Sequence, residues 1–563
     1  MKRISTLIFL LVFLILMPIL APRFSDGWKA WSIVPPLVAI TLAFVTKNVV
    51  VSLFIGIFSG AYMVVLQHGS KLTAIIRGFV LMTQEFVNSL SDPWNAGIVV
   101  QTLTIGGLIA LVSVMGGTRA IAEKLSKKAR SAATAQVYTW LMGIFIFFDD
   151  YANLLTVGPI MRPVTDNMKV SREKLAFIID STAAPVASIA LISTWIGYEL
   201  GLIKHGYLAL GLDTNAYSVF LNTIPYRFYS LLILVFVFIS AKYRRDFGPM
   251  LKAERRAHHE GKVFAEGASI MSAIDTEKLP IASTTKLKIS NAMVPIMTLI
   301  IGAFIALFYN GYQNIIASGN LSLISLVQTS FSFTVLRECF AESNASIALT
   351  QAAIFASLIA IFMGWRQKIF SLKDAVNTWI KGAGAMVITI TILILAWSLS
   401  GIVGQLGTAD YLVGVVDGKI PPFLLSTIIF IMGSLISFAT GTSYGTMGIL
   451  MPLAIPLAYS ISPDPTFMYM NIGAVLTGSI FGDHCSPISD TTILSSMGAA
   501  CDHIAHVNTQ IMYALPIAAI GILACFIPTS LGLPVYISLL LGIVAIAGVF
   551  LIFGKNPEKA IKK

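Results

Sequence analysis

Residues 147–166 read FFDDYANLLTVGPIMRPVTD. Two adjacent carboxylates, Asp149 and Asp150, and the amide of Asn153 interrupt an apolar stretch that runs over 134–165. A charge at the depth of a bilayer is costly and marks function or a partner. Backbone bared by a break in a membrane helix must meet protein, water or a ligand. Carboxylate and carbonyl oxygens suit a hard cation. Two close carboxylates do not readily ionise together, so the pair also suits proton carriage. The plainer alternative is a pair that caps a helix in a wet mouth.

The rest of the chain fits a membrane reading. Of 563 residues, 56% are hydrophobic and 12% charged, against about 25% charged in a soluble domain. Apolar runs long enough to cross a bilayer start near residues 5, 31, 49, 97, 174, 219, 291, 345, 381, 468, 510 and 534. The stretches 134–165 and 421–461 are longer and have polar or glycine-rich centres, as expected of re-entrant hairpins. The first run follows Met1-Lys2-Arg3 and resembles a signal peptide, but Pro22 argues for an uncleaved span. The net charge of +11 sits in loops at 119–130, 162–174, 242–288, 366–381 and 555–563. It therefore reads as a topology signal and not as a nucleic-acid surface. Placing these loops in the cytoplasm puts both termini there and gives about twelve spans plus two hairpins. The four cysteines lack metal-ligand spacing. No enzyme motif and no cofactor site stands out.

The two hairpins sit in matching surroundings. Gly117-Thr118 precedes the first, and Gly407-Thr408 the second. After each comes a span broken by Asp and Pro: Asp180-Ser181-Thr182-Ala183-Ala184-Pro185, and Asp483-His484-Cys485-Ser486-Pro487. Amphipathic segments at 70–90 and 366–384 also correspond, and the charge rule places them on opposite faces. Two repeats of inverted topology result, the layout of a secondary transporter with a site near the midplane. The segments expected are 1–66, N-terminal spans; 67–241, first repeat; 242–290, a solvated cytoplasmic loop; 291–344, a connecting span and external segment; 345–533, second repeat; and 534–563, a last span and tail.

Ion or proton ligands expected from these breaks are Asp149, Asp150, Asn153, Asp180, Ser181, Thr182, Asp483 and Asp490. Thr194, Thr440, Thr442, Ser443, His484, Ser486 and Thr491 add hydroxyls and a histidine for a substrate or a hairpin tip. For the small residues around Thr440 and Thr442 the plainer alternative is a packing seam. His484 either carries a proton or serves as a structural donor.

The quoted block, SREKLAFIIDSTAAPVASIALISTW after it, GTSYGTMGILMPLAIPLA, and GSIFGDHCSPISDTTILSSMGAACDH resemble the NhaC family of sodium/proton antiporters, within a wider ion-transporter group. The similarity runs over most of the chain from about residue 30. It implies an all-α polytopic fold, two inverted repeats with re-entrant hairpins and unwound helices, a homodimer, and elevator-type movement in a bacterial inner membrane. It carries an ion role onto Asp149, Asp150, Asn153, Asp180, Asp483 and Asp490. The family holds sodium/proton antiporters and exchangers of organic solutes. Na+ and H+ are thus the expected coupling ions, with a small carboxylate or amino acid as the alternative cargo. The long first span and the long 242–290 loop depart from shorter members.

Overall fold

The break at Thr182-Ala183 shows how the sequence shapes this chain. In the computed structural model, which describes residues 28–46, 48–68, 73–126, 128–268, 288–329, 332–408, 411 and 421–559, the helix Arg172–Ser181 ends there. A new helix, Ala184–Ile189, starts with Pro185 in its first turn. Proline is tolerated at that position because the amide it lacks has no helical partner there. The expected span near 174 is therefore two short helices with an irregular joint.

The helices that matter below are α1 (Pro93–Val114), α2 (Ala132–Phe145), α3 (Asp150–Asn167), α4 (Arg172–Ser181), α5 (Ala184–Ile189), α6 (Ile196–Leu208) and α7 (Phe228–Tyr243). They continue with α8 (Gly248–Glu260), α9 (Pro422–Thr440), α10 (Ser443–Ile461), α11 (Pro465–Cys485), α12 (Asp490–Ala499) and α13 (His503–Ile520). The protein is an all-helical, multi-pass membrane protein. Among the described residues, eight helices are long and apolar enough to cross a bilayer, or up to ten when each of two bent helix pairs counts as one span. One such pair is Ala216–Tyr226 with α7. The apolar helix near residue 31 is short, and the run near residue 5 lies outside the described residues. In the second hairpin region, α9 and α10 each have the length of a span.

The chain divides into two units. One gathers the chain up to Ala96, Tyr198–Tyr226 and Ile388–Gly482. Within it α9 and α11 pack closely along glycines. A Cβ on Gly478 would stand 2.5 Å from the Phe430 carbonyl, and one on Gly482 2.2 Å from that of Ser434. The other unit holds Gly97–Gly197, Arg227–Val387 and Asp483–Lys563. There α3 meets α12 at Gly158 and Gly498, where a Cβ on Gly158 would lie 2.6 Å from the Gly498 backbone.

The segment after α7 departs from expectation. Its charges read as a solvated connector, yet α8 is docked, with Met250, Leu251, Ala253 and Glu254 buried. Glu254 accepts from Arg244 Nη1 at 2.7 Å and from both the backbone amide and hydroxyl of Ser171 at 2.8 Å. Asp246 Oδ1 accepts from Lys174 Nζ at 2.6 Å and from the Tyr513 hydroxyl at 2.7 Å. Lys174 and Asp246 are wholly buried. Buried charges survive when paired and hydrogen-bonded, and partners distant in sequence supply both conditions here.

Candidate functional site

Asp150 opens α3, where a carboxylate meets the positive end of the helix dipole. Asp149, Asp150 and Asn153 are all buried. Asn153 Nδ2 donates to the Gly143 carbonyl at 2.9 Å and to the Thr182 carbonyl at 2.7 Å. The amide thus takes up backbone freed at the end of α2 and at the break after α4. Gly143 permits the approach, since a Cβ there would stand 2.0 Å from Thr182 Oγ1. The Thr182 hydroxyl turns back to its own helix, donating to Ile178 at 2.8 Å. The Thr194 amide donates to the Phe148 carbonyl at 3.0 Å and fixes the segment before α6 against the same tip.

Around this tip the second broken region adds its groups. Tyr151 donates its hydroxyl to Asp490 Oδ2. Asp490 is the first residue of α12, and its Oδ1 accepts from the Thr491 amide at 2.8 Å. The charges of Asp149 and Asp490 both act on Asp150, and those of Asp150, Asp483 and Asp490 act on Tyr151. Asp483 is buried near the end of α11, and its carbonyl accepts from the Ser486 amide at 2.9 Å. Ser486 Oγ in turn accepts from the Ile488 amide at 3.3 Å. The Thr491 hydroxyl pairs with Ser489 at 2.9 Å.

Asp180 lies in a different network. Its Oδ2 accepts from Gln510 Nε2 at 2.7 Å and faces His506 Nε2 at 3.4 Å. Gln510 also donates to the His484 carbonyl. His484 has both ring nitrogens engaged, Nδ1 with the Tyr229 hydroxyl at 2.7 Å and Nε2 with Ser181 Oγ at 3.2 Å. His506 Nε2 is also 3.1 Å from Ser495 Oγ. Tyr229, Ser495, His506 and Gln510 were not singled out from sequence. A signal existed for two of them: His506 and Gln510 stand four apart, on one face of a span.

Twelve of the fifteen expected residues therefore fall in the unit that holds α3 and α4. Thr440, Thr442 and Ser443 belong to the other unit. Thr440 donates to Ile436 at 2.9 Å, Thr442 caps α10 by accepting from Gly445, and Ser443 donates to Ser479 at 3.3 Å. Gly441 between them takes φ 68°, the left-handed turn that joins α9 to α10. These bonds describe a helix turn and a packing seam. Among the described residues, no group of three His, Cys, Asp or Glu side chains converges as for a metal ion.

A polytopic helical fold with broken helices and buried acids defines a secondary transporter, not an enzyme. Comparison with known proteins places it: residues 186–527 match the Na+/H+ antiporter family, and the chain belongs to that family. The NhaC-like resemblance of the chain is thereby shown. An uncharacterized protein of Haemophilus influenzae is 35% identical over 495 residues, covering 87% of this chain and 89% of that one. The malate-2H(+)/Na(+)-lactate antiporter of Bacillus subtilis is 34% identical over 174 residues, 30% of this chain and 35% of that one. In fold, the chain is similar to the Alcanivorax borkumensis YdaH transporter, with a TM-score of 0.50 at 13% identity, over 82% of this chain and 90% of that one. The tip from Asp149 to Asn153 and Asp180 precede the residues matched to the family.

Proposed function

We propose that this protein exchanges Na+ for H+ at the tip formed by Asp149, Asp150 and Asn153. One observation carries the reading. Asp150 Oδ1 and Asn153 Oδ1 are buried and have no hydrogen-bond partner among the described residues. They stand three apart, hence on one helix face. A buried polar atom left without a partner costs about 1–3 kcal/mol, so such atoms mark a missing ligand. Two oxygens beside an ionised carboxylate form part of a sodium shell. Asp483 and Asp490 add negative field, while Asp180, Ser181, Thr182 and His484 hold the break between α4 and α5 in shape. Thr194 lies beside the tip; Ser486 and Thr491 order the turn into α12.

On this reading the chain sits in a bacterial inner membrane with both termini cytoplasmic. The segments 67–241 and 345–533 act as inverted repeats, 134–165 and 421–461 as re-entrant hairpins, and a homodimer provides the frame for elevator-type movement. Purified protein in proteoliposomes tests the exchange. An imposed Na+ gradient should drive proton movement that Asp150→Asn loses. Absence of Na+-driven proton movement in the wild type would reject this function.

A second reading is coupled exchange of a small organic solute. Its support is the partial likeness to the malate-2H(+)/Na(+)-lactate antiporter, over about a third of each chain. Labelled carboxylic and amino acids in the same vesicles separate the two readings.

A further inference from the structure

The motif block 478–503 ends on Asp502 and His503, which the ion-exchange reading leaves unused. His503 opens α13, and Asp502 caps that helix by accepting from the Ala505 amide at 2.8 Å. The imidazole is partly exposed. A tight turn carries it back onto the preceding helix. Ala500 takes φ 49°, in the left-handed region, and the Cys501 amide donates to the Ser496 carbonyl at 2.8 Å. His503 Nδ1 then lies 3.1 Å from Ser496 Oγ, on α12. Nε2 lies 2.7 Å from the Pro487 carbonyl, in the joint that precedes α12. One ring thus ties the joint to the helix it leads into.

The hydrogen bonds fix what the ring carries. A carbonyl only accepts, so Nε2 holds a hydrogen. Ser496 has one hydroxyl hydrogen, which goes to the Thr492 carbonyl at 2.8 Å, four residues back on the helix. Its oxygen then meets Nδ1 as an acceptor. In the neutral ring Nδ1 is an acceptor too, and the two lone pairs oppose each other unless Ser496 gives up Thr492. In the imidazolium, Nδ1 donates to Ser496 and Nε2 to Pro487, and every hydrogen has its acceptor. A proton therefore adds one bond to this staple, and it needs no cavity to do so.

The surrounding charges are mostly paired. Those of Arg172, Glu173, Arg256 and Asp502 act at Cys501, two residues before His503. Glu173 pairs with Arg256 at 2.8 Å and Arg172 with Asp166 at 3.1 Å, so α3, α4 and α8 present balanced pairs. Asp502 favours the imidazolium, and the positive end of the α13 dipole opposes it. His506, further along α13, is turned to Ser495 and Asp180. The charge on α12 is Asp490, three residues after Pro487.

We propose that His503 is a positioning residue for the ion exchange: by taking up a proton it staples the Pro487 joint to α12 and holds Asp490, the first residue of that helix, at the acidic tip. Asp490 meets the tip through the Tyr151 hydroxyl. The positioning role rests on the ion-exchange reading; the staple itself does not.

The intact protein is tested in detergent and in proteoliposomes. Hydrogen exchange of residues 486–496, corrected for the intrinsic pH dependence of amide exchange, reads the staple. Between about pH 5.5 and about pH 8, where an imidazole changes charge, wild-type protection should fall about fivefold. His503→Gln keeps a donor for Pro487 and should lose this step. Ser496→Ala keeps the ring and its bond to Pro487 but removes the acceptor for Nδ1, and should lose the step as well. Because that variant retains His503, its response separates a proton-dependent bond from packing. In proteoliposomes, the KM for Na+ of both variants should exceed the wild-type value about threefold at about pH 5.5 and match it at about pH 8, with turnover within about twofold. A wild type without a step, or an equal step in wild type and both variants, would overturn the staple. A step as expected with KM ratios independent of pH would overturn the positioning of Asp490. A wild type with the step but no Na+ response at all would reject the ion-exchange reading, and the positioning with it, and leave the staple standing.

Discussion

Asn153 donates to the Thr182 carbonyl at 2.7 Å across 29 residues of sequence. A side-chain amide on α3 thus completes the hydrogen bonding of the helix that breaks after Asp180. The same nitrogen serves Gly143, so one residue closes two helix ends. Its carbonyl oxygen is buried and has no hydrogen-bond partner among the described residues. On the ion-exchange reading, ion binding at that oxygen and the shape of the break after α4 are therefore mechanically joined.

Asn153→Asp tests this joint. It keeps the size of the side chain but replaces two donated hydrogens with an oxygen facing two carbonyls. Each lost bond to a buried carbonyl costs about 1–3 kcal/mol. The melting temperature in detergent should fall by several degrees, and the Na+ response should be lost. Wild-type melting and a wild-type Na+ response in this variant would show that the amide is not a clamp.

The pair Lys174–Asp246 makes a different prediction. Lys174 stands in the first turn of the helix that ends near Asp180, and both partners are buried. Lys174→Met leaves Asp246 with Tyr513 and Ser240 alone, at a cost of about 3–5 kcal/mol. The double variant Lys174→Met/Asp246→Leu should recover much of that loss, because neither charge is then stranded. Thermal unfolding of the four forms gives the coupling directly. A double variant as unstable as the single one would show that the charges stabilise the fold as a pair.

How far the sequence speaks depends on how local the signal is. An acidic pair inside an apolar run, or Asp followed by Pro within a span, is anomalous at its own position. The FFDDYAN tip and the Asp180–Pro185 break were legible for that reason. Partnership is not local. Nothing near Asp180 announces His506 and Gln510, more than 320 residues on. The connector misled for the same reason: Arg244, Asp246 and Glu254 resemble solvated charges until Lys174 and Ser171 are placed against them. The hydroxyls of 440–443 were equally ambiguous, since Ser and Thr satisfy themselves on nearby backbone as readily as they bind ions.

The tail offers a topological test. Asp246 and Lys555 exchange both backbone bonds, N to O at 3.0 Å and 2.9 Å. The connector and the carboxyl-terminal segment must then lie on one face of the membrane. Single cysteines at Gly261 and Lys559 should label alike, and in intact cells an impermeant reagent should reach neither. Labelling of one without the other contradicts the pairing, whereas labelling of both from outside reverses the proposed orientation.

The last prediction concerns the proton. Asp149 and Asp150 are adjacent, both are buried, and the charge of Asp149 bears on Asp150. A sodium ion at Asp150 Oδ1 and Asn153 Oδ1 favours the fully ionised pair, so its arrival should expel a proton held between the two carboxylates. The pair then titrates as a unit, and its macroscopic behaviour belongs to neither residue alone. Asp149→Asn and Asp150→Asn should each shift the pH profile of exchange. Asp150→Asn, which neutralises the side chain bearing the unpartnered oxygen, should weaken Na+ binding more than Asp149→Asn. Sodium-induced proton release in detergent, measured for the wild type and both variants, decides the matter. His484 offers no easy alternative, because its two nitrogens are already engaged by Tyr229 and Ser181. Asp490 does, being tied to the tip through Tyr151. Full proton release from both variants, lost instead in Asp490→Asn, would move the proton site to the first turn of α12.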